Sequence, residues 1–484
     1  MDALKAEHRR LQQENQHLRA EVAALRQQVT TLQEELERLR AQLNQNSHNS
    51  HWPPSRDKSR RKRRTRSLRQ KSGKAAGGQS GHPGHTLEFS AHPQQIETHR
   101  PTCCPECQTP FPAEQRAVAT RRRQVFDLPP LELVVTEHRA ETLVCGKCGA
   151  HVEGEFPPEV TQPTQYGRGI YQLATYLKSE QLLPYGRSQQ LLADVFGVPL
   201  SPGTLENLVH HAAQRLRPVV ARIHTVLRTQ RVAHFDESGF YIGGQRYWLH
   251  SAGTAEWSYY APHPRRGRAA MDDIAILPQF HGTAVHDGLA AYWSYMHCQH
   301  SLCNVHHVRE LNGLLENTPQ PWMQRFKWLL LSCQQRVARA KAAGLTALPP
   351  AQLAQIERLY DRLIQLALQT HPPPEGGWPR GKRGRVRKPK ARNLAERLDK
   401  HKRAVLAFVY DFNVPFDNNL AERDLRMLKV QQKISGCFRS WQGAEDFCII
   451  RSYTATLRKQ GLSVWAALGA LFSPECLLPR FPPV

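Results

Sequence analysis

The chain has 484 residues, and at roughly 100–200 residues per domain it divides into several units. Its 66 Lys and Arg against 42 Asp and Glu leave a formal net charge of +24, so a polyanion is the natural partner, nucleic acid ahead of an anionic membrane surface. No apolar run reaches the roughly 18–20 residues of a spanning helix, and the N-terminus opens on a charged amphipathic segment instead of a secretory signal.

Leu4, Leu11, Leu18, Leu25, Leu32 and Leu39 recur every seventh residue, with His8, Asn15, Val22, Val29, Leu36 and Leu43 interleaved. The heptads predict a coiled coil over residues 1–45. Val at the a position with Leu at d favours two parallel strands, and Asn15 at an a position fixes register, so a homodimer is expected. Residues 46–98 form a linker in which Pro53-Pro54 breaks any continuous helix, an Arg/Lys-dense run follows and a Gly-rich tail closes. The run reads as a phosphate-binding arm or as a solvated linker.

Residues 99–160 carry Cys104-Pro-Glu-Cys107 and Cys145-Gly-Lys-Cys148, separated by "LELVVTEHRAETLVC", which alternates like a β-ribbon. The 11 Cys of a cytoplasmic chain, two CxxC pairs among them, read as metal ligands before disulfides. Each CxxC spans one edge of a tetrahedron, so Cys104, Cys107, Cys145 and Cys148 are the expected ligands of a structural zinc ion. The adjacent Cys103 leaves one ligand ambiguous. Residues 161–228 are helical. Within them 182–209 run helix, Gly-containing turn, Ser201-Pro202, helix, which fits a DNA-reading helix-turn-helix and equally two ordinary packed helices.

From residue 229 a short strand places Asp236 near its end, and a hairpin follows across Gly243-Gly244. "AEWSYYAP" supplies a third strand, a helical stretch spans 268–279, and "GTAVHDG" supplies a strand ending in Asp287. The order β, β, β, α, β with acids on the first and fourth strands is that of an RNase-H-like sheet, and a third carboxylate is then expected from a later helix. Asp417, Asn418 and Asn419 offer N-cap side chains, which puts Glu422 in the first turns of a helix. Glu422, Arg426 and Lys429 share one face at i, i+4 and i+7. Two or three carboxylates can hold a pair of magnesium ions for in-line phosphoryl transfer. Taken singly, Glu422 and Arg426 also read as an ordinary helix pair worth roughly 0.2–0.5 kcal/mol. Lys433, Arg439 and Trp441 lie just downstream as further DNA contacts. Cys303 and His306 form a CxxH pair that reads as packing and is left out of the metal set. The domain reading is completed by residues 229–320 as the first part of the core, 321–400 as a helical insertion with a basic loop, and 401–484 as the C-terminal helices. The fold class is multidomain α+β.

The blocks "HFDESGFYIGGQRYWLHSAGT", "VHDGLAAY", "SLCNVHHVREL" and "VPFDNNLAERDLRMLKVQQKISGCFRSWQGAEDFCIIRSYTATLRKQG" resemble those of the insertion sequence 66 family of bacterial DDE transposases. The resemblance extends to the N-terminal coiled coil, the "GGQSGHPGH" stretch and the zinc-binding region. It implies that Asp236, Asp287 and Glu422 are a DDE triad served by magnesium. The reaction it implies is DNA hydrolysis at element ends, then 3′-hydroxyl attack on target DNA. It further implies small element-encoded accessory proteins as partners, a nucleoid-associated location and no membrane. The other reading is a non-catalytic DNA-binding or architectural protein of a mobile element, which has no physical need for three acids among phosphates.

Overall fold

The computed structural model describes residues 2–43, 87–128, 131–374, 377–378, 386, 388–473 and 477–482. The Arg/Lys run of the linker and the basic loop at 379–385 lie outside them. Helix α1 (Asp2–Leu43) is continuous, as the heptads predict. Its Leu18, Val22, Leu25, Val29, Leu32, Leu36 and Leu39 are all about half exposed, an apolar stripe along a charged helix.

Strands β1 (Thr142–Val144) and β2 (His151–Glu153) pair antiparallel around the second CxxC. The ribbon is therefore shorter than the alternation of 131–144 predicts. Val134 and Val135 stay exposed, so that stretch has no buried face to hold it in a sheet.

Helices α2 (Arg168–Ser179), α3 (Tyr185–Phe196) and α4 (Pro202–Arg228) follow. Gly197 closes α3 at φ 62°, and the Ser201 side chain accepts the Thr204 N–H at 3.0 Å to start α4 with Pro202 in its first turn. The predicted helix-turn-helix segment is thus two helices with a tight connection. Along α4, Leu216 and Val220 share a core with Ile450 and Tyr453 of α13 (Trp441–Lys459), so the segment packs directly on the later elements.

One mixed sheet organises the rest. Strands β3 (Val232–Ile242), β4 (Gln245–Gly253), β5 (Ser258–His263), β6 (Thr283–His286) and β7 (Gln299–Leu302) lie in the order β5-β4-β3-β6-β7. The first three are antiparallel neighbours, while β6 and β7 run parallel to β3. Strand β3 does not end at Asp236 as expected. It runs on to the Gly243-Gly244 turn, where φ values of 54° and 82° suit glycine. The short β7 was not foreseen, because "QHSL" is too brief and polar to read as a strand. Edge strand β5 is covered by α13, whose Ser452 and Thr456 hydroxyls accept the Tyr260 and Ser258 N–H groups at 2.9 and 3.0 Å.

Helix α5 (Arg268–Ile274) crosses between β5 and β6, and α6 (Asn304–Asn317) leaves β7. Helices α7 (Pro321–Ala342), α8 (Pro350–Thr370), α9 (Lys390–Lys400), α10 (Lys402–Val405) and α11 (Ala407–Tyr410) build the insertion around Phe326, Leu330 and Tyr360. The chain returns through α12 (Asn419–Ser435) and α13 and closes with α14 (Val464–Ala470). No described helix is long and apolar enough to cross a membrane.

Candidate active site

The β3–β6 register pairs Val232 with Thr283 and His234 with Val285. The ladder ends there, with Asp236 two residues on along β3 and Asp287 just past the end of β6, close enough for its charge to act on Asp236. Asp287 follows the last residue of β6, and a neutral histidine fixes its turn. His286 Nδ1 accepts the Gly288 N–H at 3.0 Å, so the Nε2 proton points to His300 Nδ1 at 3.0 Å. Burial holds His286 well below the usual imidazole range, consistent with that neutral form.

Glu422 arrives from α12. The N-cap residue Asn418 does not cap the helix with its side chain as expected. It is buried instead, taking the His234 ring at 2.8 Å and donating to the Phe235 carbonyl at 2.9 Å, which ties the start of α12 to β3 beside Asp236. Asp417 accepts the Asn419 N–H at 2.9 Å. Burial pushes Asp236 well above the ordinary aspartate value, reinforced by the charges of Glu237, Asp287 and Glu422. Burial likewise raises Glu422; Arg309 and Arg426 oppose the rise while Asp417 and Asp287 add to it.

Sequence reasoning missed the neighbours of this set. Arg266 Nε meets Glu237 at 2.7 Å, and its Nη2 lies 3.9 Å from Asp287. Glu237 is fully buried and also accepts the Tyr292 hydroxyl at 2.8 Å. Burial raises Glu237 and the Asp287 charge adds to it, with Arg266 and Tyr292 opposing. The guanidinium of Arg266 also lies over the Trp248 ring, 4.9 Å from its centre. Only the basic "PRRGR" run hinted at this residue.

Cys303 and His306, read from sequence as packing, lie against Glu422. One ligand atom from each of the three residues falls within 4.8 Å of the others. Their CxxH spacing was the available signal. Glu422 Oε1 is buried and accepts no hydrogen bond, an acceptor that a cation satisfies. Crowded acids with such an orphaned oxygen fit a divalent cation.

Downstream, Arg426, Lys429, Lys433 and Arg439 are all exposed, and Lys429 Nζ in addition donates to the Gly239 carbonyl at 2.9 Å, bracing α12 on β3. The segment around Arg439 is no plain loop. Phe438 exchanges backbone hydrogen bonds with Tyr241 and Gly243 at 3.1 and 2.9 Å, and Trp441 packs 5.8 Å from the Tyr247 ring.

The two CxxC turns have one geometry. Cys104 N–H bonds the Thr109 carbonyl and Gln108 N–H bonds the Cys104 carbonyl, both at 2.9 Å; Cys145, Ala150 and Gly149 repeat the pattern at 2.8 Å. Gln108 and Gly149 both take positive φ, 55° and 72°. Cys104 is therefore the counterpart of Cys145, and Cys103 lies one residue outside the turn. Hydrogen bonds from Thr109 lower the Cys107 thiol, and the backbone N–H groups of Lys147 and Cys148 lower Cys145, as metal-binding thiols require. Within each pair a thiol hydrogen-bonds its partner. Among the described residues, the four thiols are not gathered as closely as the Cys303, His306 and Glu422 set.

The family described as "Transposase IS66 family" matches residues 163–446, more than half of the chain. A "zinc-finger binding domain of transposase IS66" matches residues 101–149, and a family of unknown function matches 5–88. No curated protein matches the chain. A solved structure, "Crystal structure of the Mos1 Strand Transfer Complex", aligns at 11% identity and TM-score 0.11, covering 34% of this chain and 58% of that one. The aligned part is thus less than two thirds of that chain's length.

Proposed function

The chain belongs to the transposase IS66 family, and from that premise we propose that Asp236, Asp287 and Glu422 form the catalytic triad of a DDE transposase on an RNase-H-like core. The observation that carries this reading is the parallel β3–β6 ladder, which brings the strand of Asp236 beside the one that leads into Asp287, with the charges of Asp287 and Glu422 both raising Asp236. The strand order, an antiparallel three-strand run with two parallel strands added beyond β3, supports the core assignment.

Asp236, Asp287 and Glu422 would hold magnesium, which would supply Lewis acidity for phosphoryl transfer. Around it the protein's own residues orient and hold. Asn418 and Lys429 fix α12 on β3, so Glu422 presents its carboxylate to the sheet without reorganisation. Arg266 steadies Glu237 and Asp287. Arg426, Lys433 and Arg439 offer exposed cations to flanking phosphates, which makes binding steeply salt-dependent. The reaction is hydrolysis at element ends, freeing a 3′-hydroxyl that attacks a target phosphodiester and releases the target's own 3′-hydroxyl. Cys104, Cys107, Cys145 and Cys148 hold a structural zinc ion, and the apolar stripe of α1 pairs with that of a second copy.

The test is an end-joining assay with labelled element-end DNA, a plasmid target, magnesium and the small element-encoded proteins. Asp236→Asn, Asp287→Asn and Glu422→Gln should each abolish joining while end binding survives. Joining that persists in any of the three contradicts the triad. Binding without cleavage by the wild type favours the architectural reading.

A further inference from the structure

Cys303 follows the last residue of β7 and is the N-cap of α6, His306 follows within its first turn, and Glu422 lies against them from α12. His306 Nε2 lies 3.8 Å from Glu422 Oε1. Zinc bonds of about 2.0–2.1 Å to nitrogen and oxygen in a tetrahedron set an N···O edge of about 3.3–3.4 Å, so this edge needs to close by only about 0.4 Å. The sulfur lies within the 4.8 Å limit of the set, so a shift of about 1 Å completes the face. The surroundings suit a bound cation. Glu422 Oε1 is buried without a hydrogen bond, and the Asn418 backbone N–H points at Cys303 Sγ at 3.2 Å. That contact orients the sulfur and partly opposes the burial that pushes the Cys303 thiol up to about 12, so a cation is needed to hold it as thiolate. Asn418 is itself locked on His234 and Phe235, so the sulfur's donor is rigid.

A thiolate, an imidazole and a carboxylate with a fourth position open make a borderline-soft set, which selects zinc over magnesium. We propose that Cys303, His306 and Glu422 form a zinc site, and that zinc bound there withdraws Glu422 from the magnesium-binding acids and stops the reaction. The inhibitory half rests on the assignment of Glu422 made above; the binding half does not.

Two readouts on the full chain separate these halves. The first is zinc content after equilibration with zinc alone, together with the thiolate-to-cobalt charge-transfer band when cobalt replaces zinc. Cys303→Ser and His306→Gln should each lower the content by about one ion per chain, and Cys145→Ser should lower it independently. Identical content and spectra in wild type and both variants overturn the site; His306→Gln, at a partly exposed position, guards against a folding defect at buried Cys303. The second is end cleavage in magnesium with and without added zinc, each protein compared with its own zinc-free rate. Zinc should abolish cleavage by the wild type and spare His306→Gln. Zinc that binds through Cys303 and His306 yet leaves wild-type cleavage intact overturns the inhibition and the sharing of Glu422. Loss of zinc in the variants, with no cleavage by any protein, supports the site and counts against the proposed transposase activity instead.

Discussion

Glu180 joins the helical segment to the helix that backs the sheet, and replacing it tests whether these parts form one folded unit. It follows the last residue of α2, and its side chain is only 1% exposed. One carboxylate oxygen accepts from Arg451 and, at 2.6 Å, from the Thr454 hydroxyl; the other accepts from Arg458 Nε at 2.9 Å. Arg451 is 12% exposed, whereas Arg458 is 54% exposed. Glu180→Ala leaves the Arg451 charge buried and unpaired, a loss of about 3–5 kcal/mol. The Arg458 pair is screened by solvent and adds less than about 1 kcal/mol. For a cooperative unit of about 150–250 residues, each kcal/mol moves Tm by about 2–4 °C, so the midpoint should fall by about 6–20 °C. Glu180→Gln keeps an acceptor for one arginine and should lose about 1.5–3 kcal/mol. Thermal unfolding followed by circular dichroism measures both. A change below about 1 kcal/mol in Glu180→Ala, with one transition in each protein, refutes the reasoning, because a buried unpaired guanidinium cannot be that cheap.

Asp236, Glu237 and Glu422 all have folded-state values raised by burial, so their protonated forms are favoured in the native protein. The stability they contribute is complete below the unfolded carboxylate values and is lost as pH rises through the raised ones. In EDTA, Asp236→Asn should therefore melt above the wild type at neutral pH, and magnesium should raise the wild-type Tm more at neutral than at acid pH; equal magnesium shifts at both contradict this. At Gly282 an added Cβ would sit 2.3 Å from the Gln230 carbonyl and 2.6 Å from that of Arg231. Gly282→Ala should cost at least about 1–3 kcal/mol in denaturant unfolding, since both obstacles are backbone. Leu25→Glu with Leu32→Glu places charge on the exposed stripe of α1 and should halve the mass seen by light scattering.

The sheet was legible because its strands are bounded by turn residues with a mechanism, above all Gly243-Gly244, and because Asp236 and Asp287 fall at matching places in the β, β, β, α, β order. The extent of β3 was not, since nothing local at Asp236 says whether a strand stops or runs on into its hairpin. The helix carrying Glu422 was legible from Asp417, Asn418 and Asn419, yet the use of Asn418 depends on His234 and Phe235, more than 180 positions away. Arg266 and the Cys303–His306 pair escaped for the same reason. Their roles arise from proximity to Asp287 and Glu422 that only the folded sheet and α12 create. Conversely, the alternation of residues 131–144 looks like a ribbon in sequence, but only Thr142–Val144 finds a partner strand.

Asp236, Asp287 and Glu422 are proposed to share divalent metal. Anomalous diffraction from crystals soaked in manganese, a stand-in for magnesium with a readable signal, tests it most directly. A peak is expected between Asp236 and Asp287 with Glu422 on it or on a second peak beside it, lost in Asp236→Asn. Manganese that occupies other sites while these three carboxylates remain without metal contradicts it.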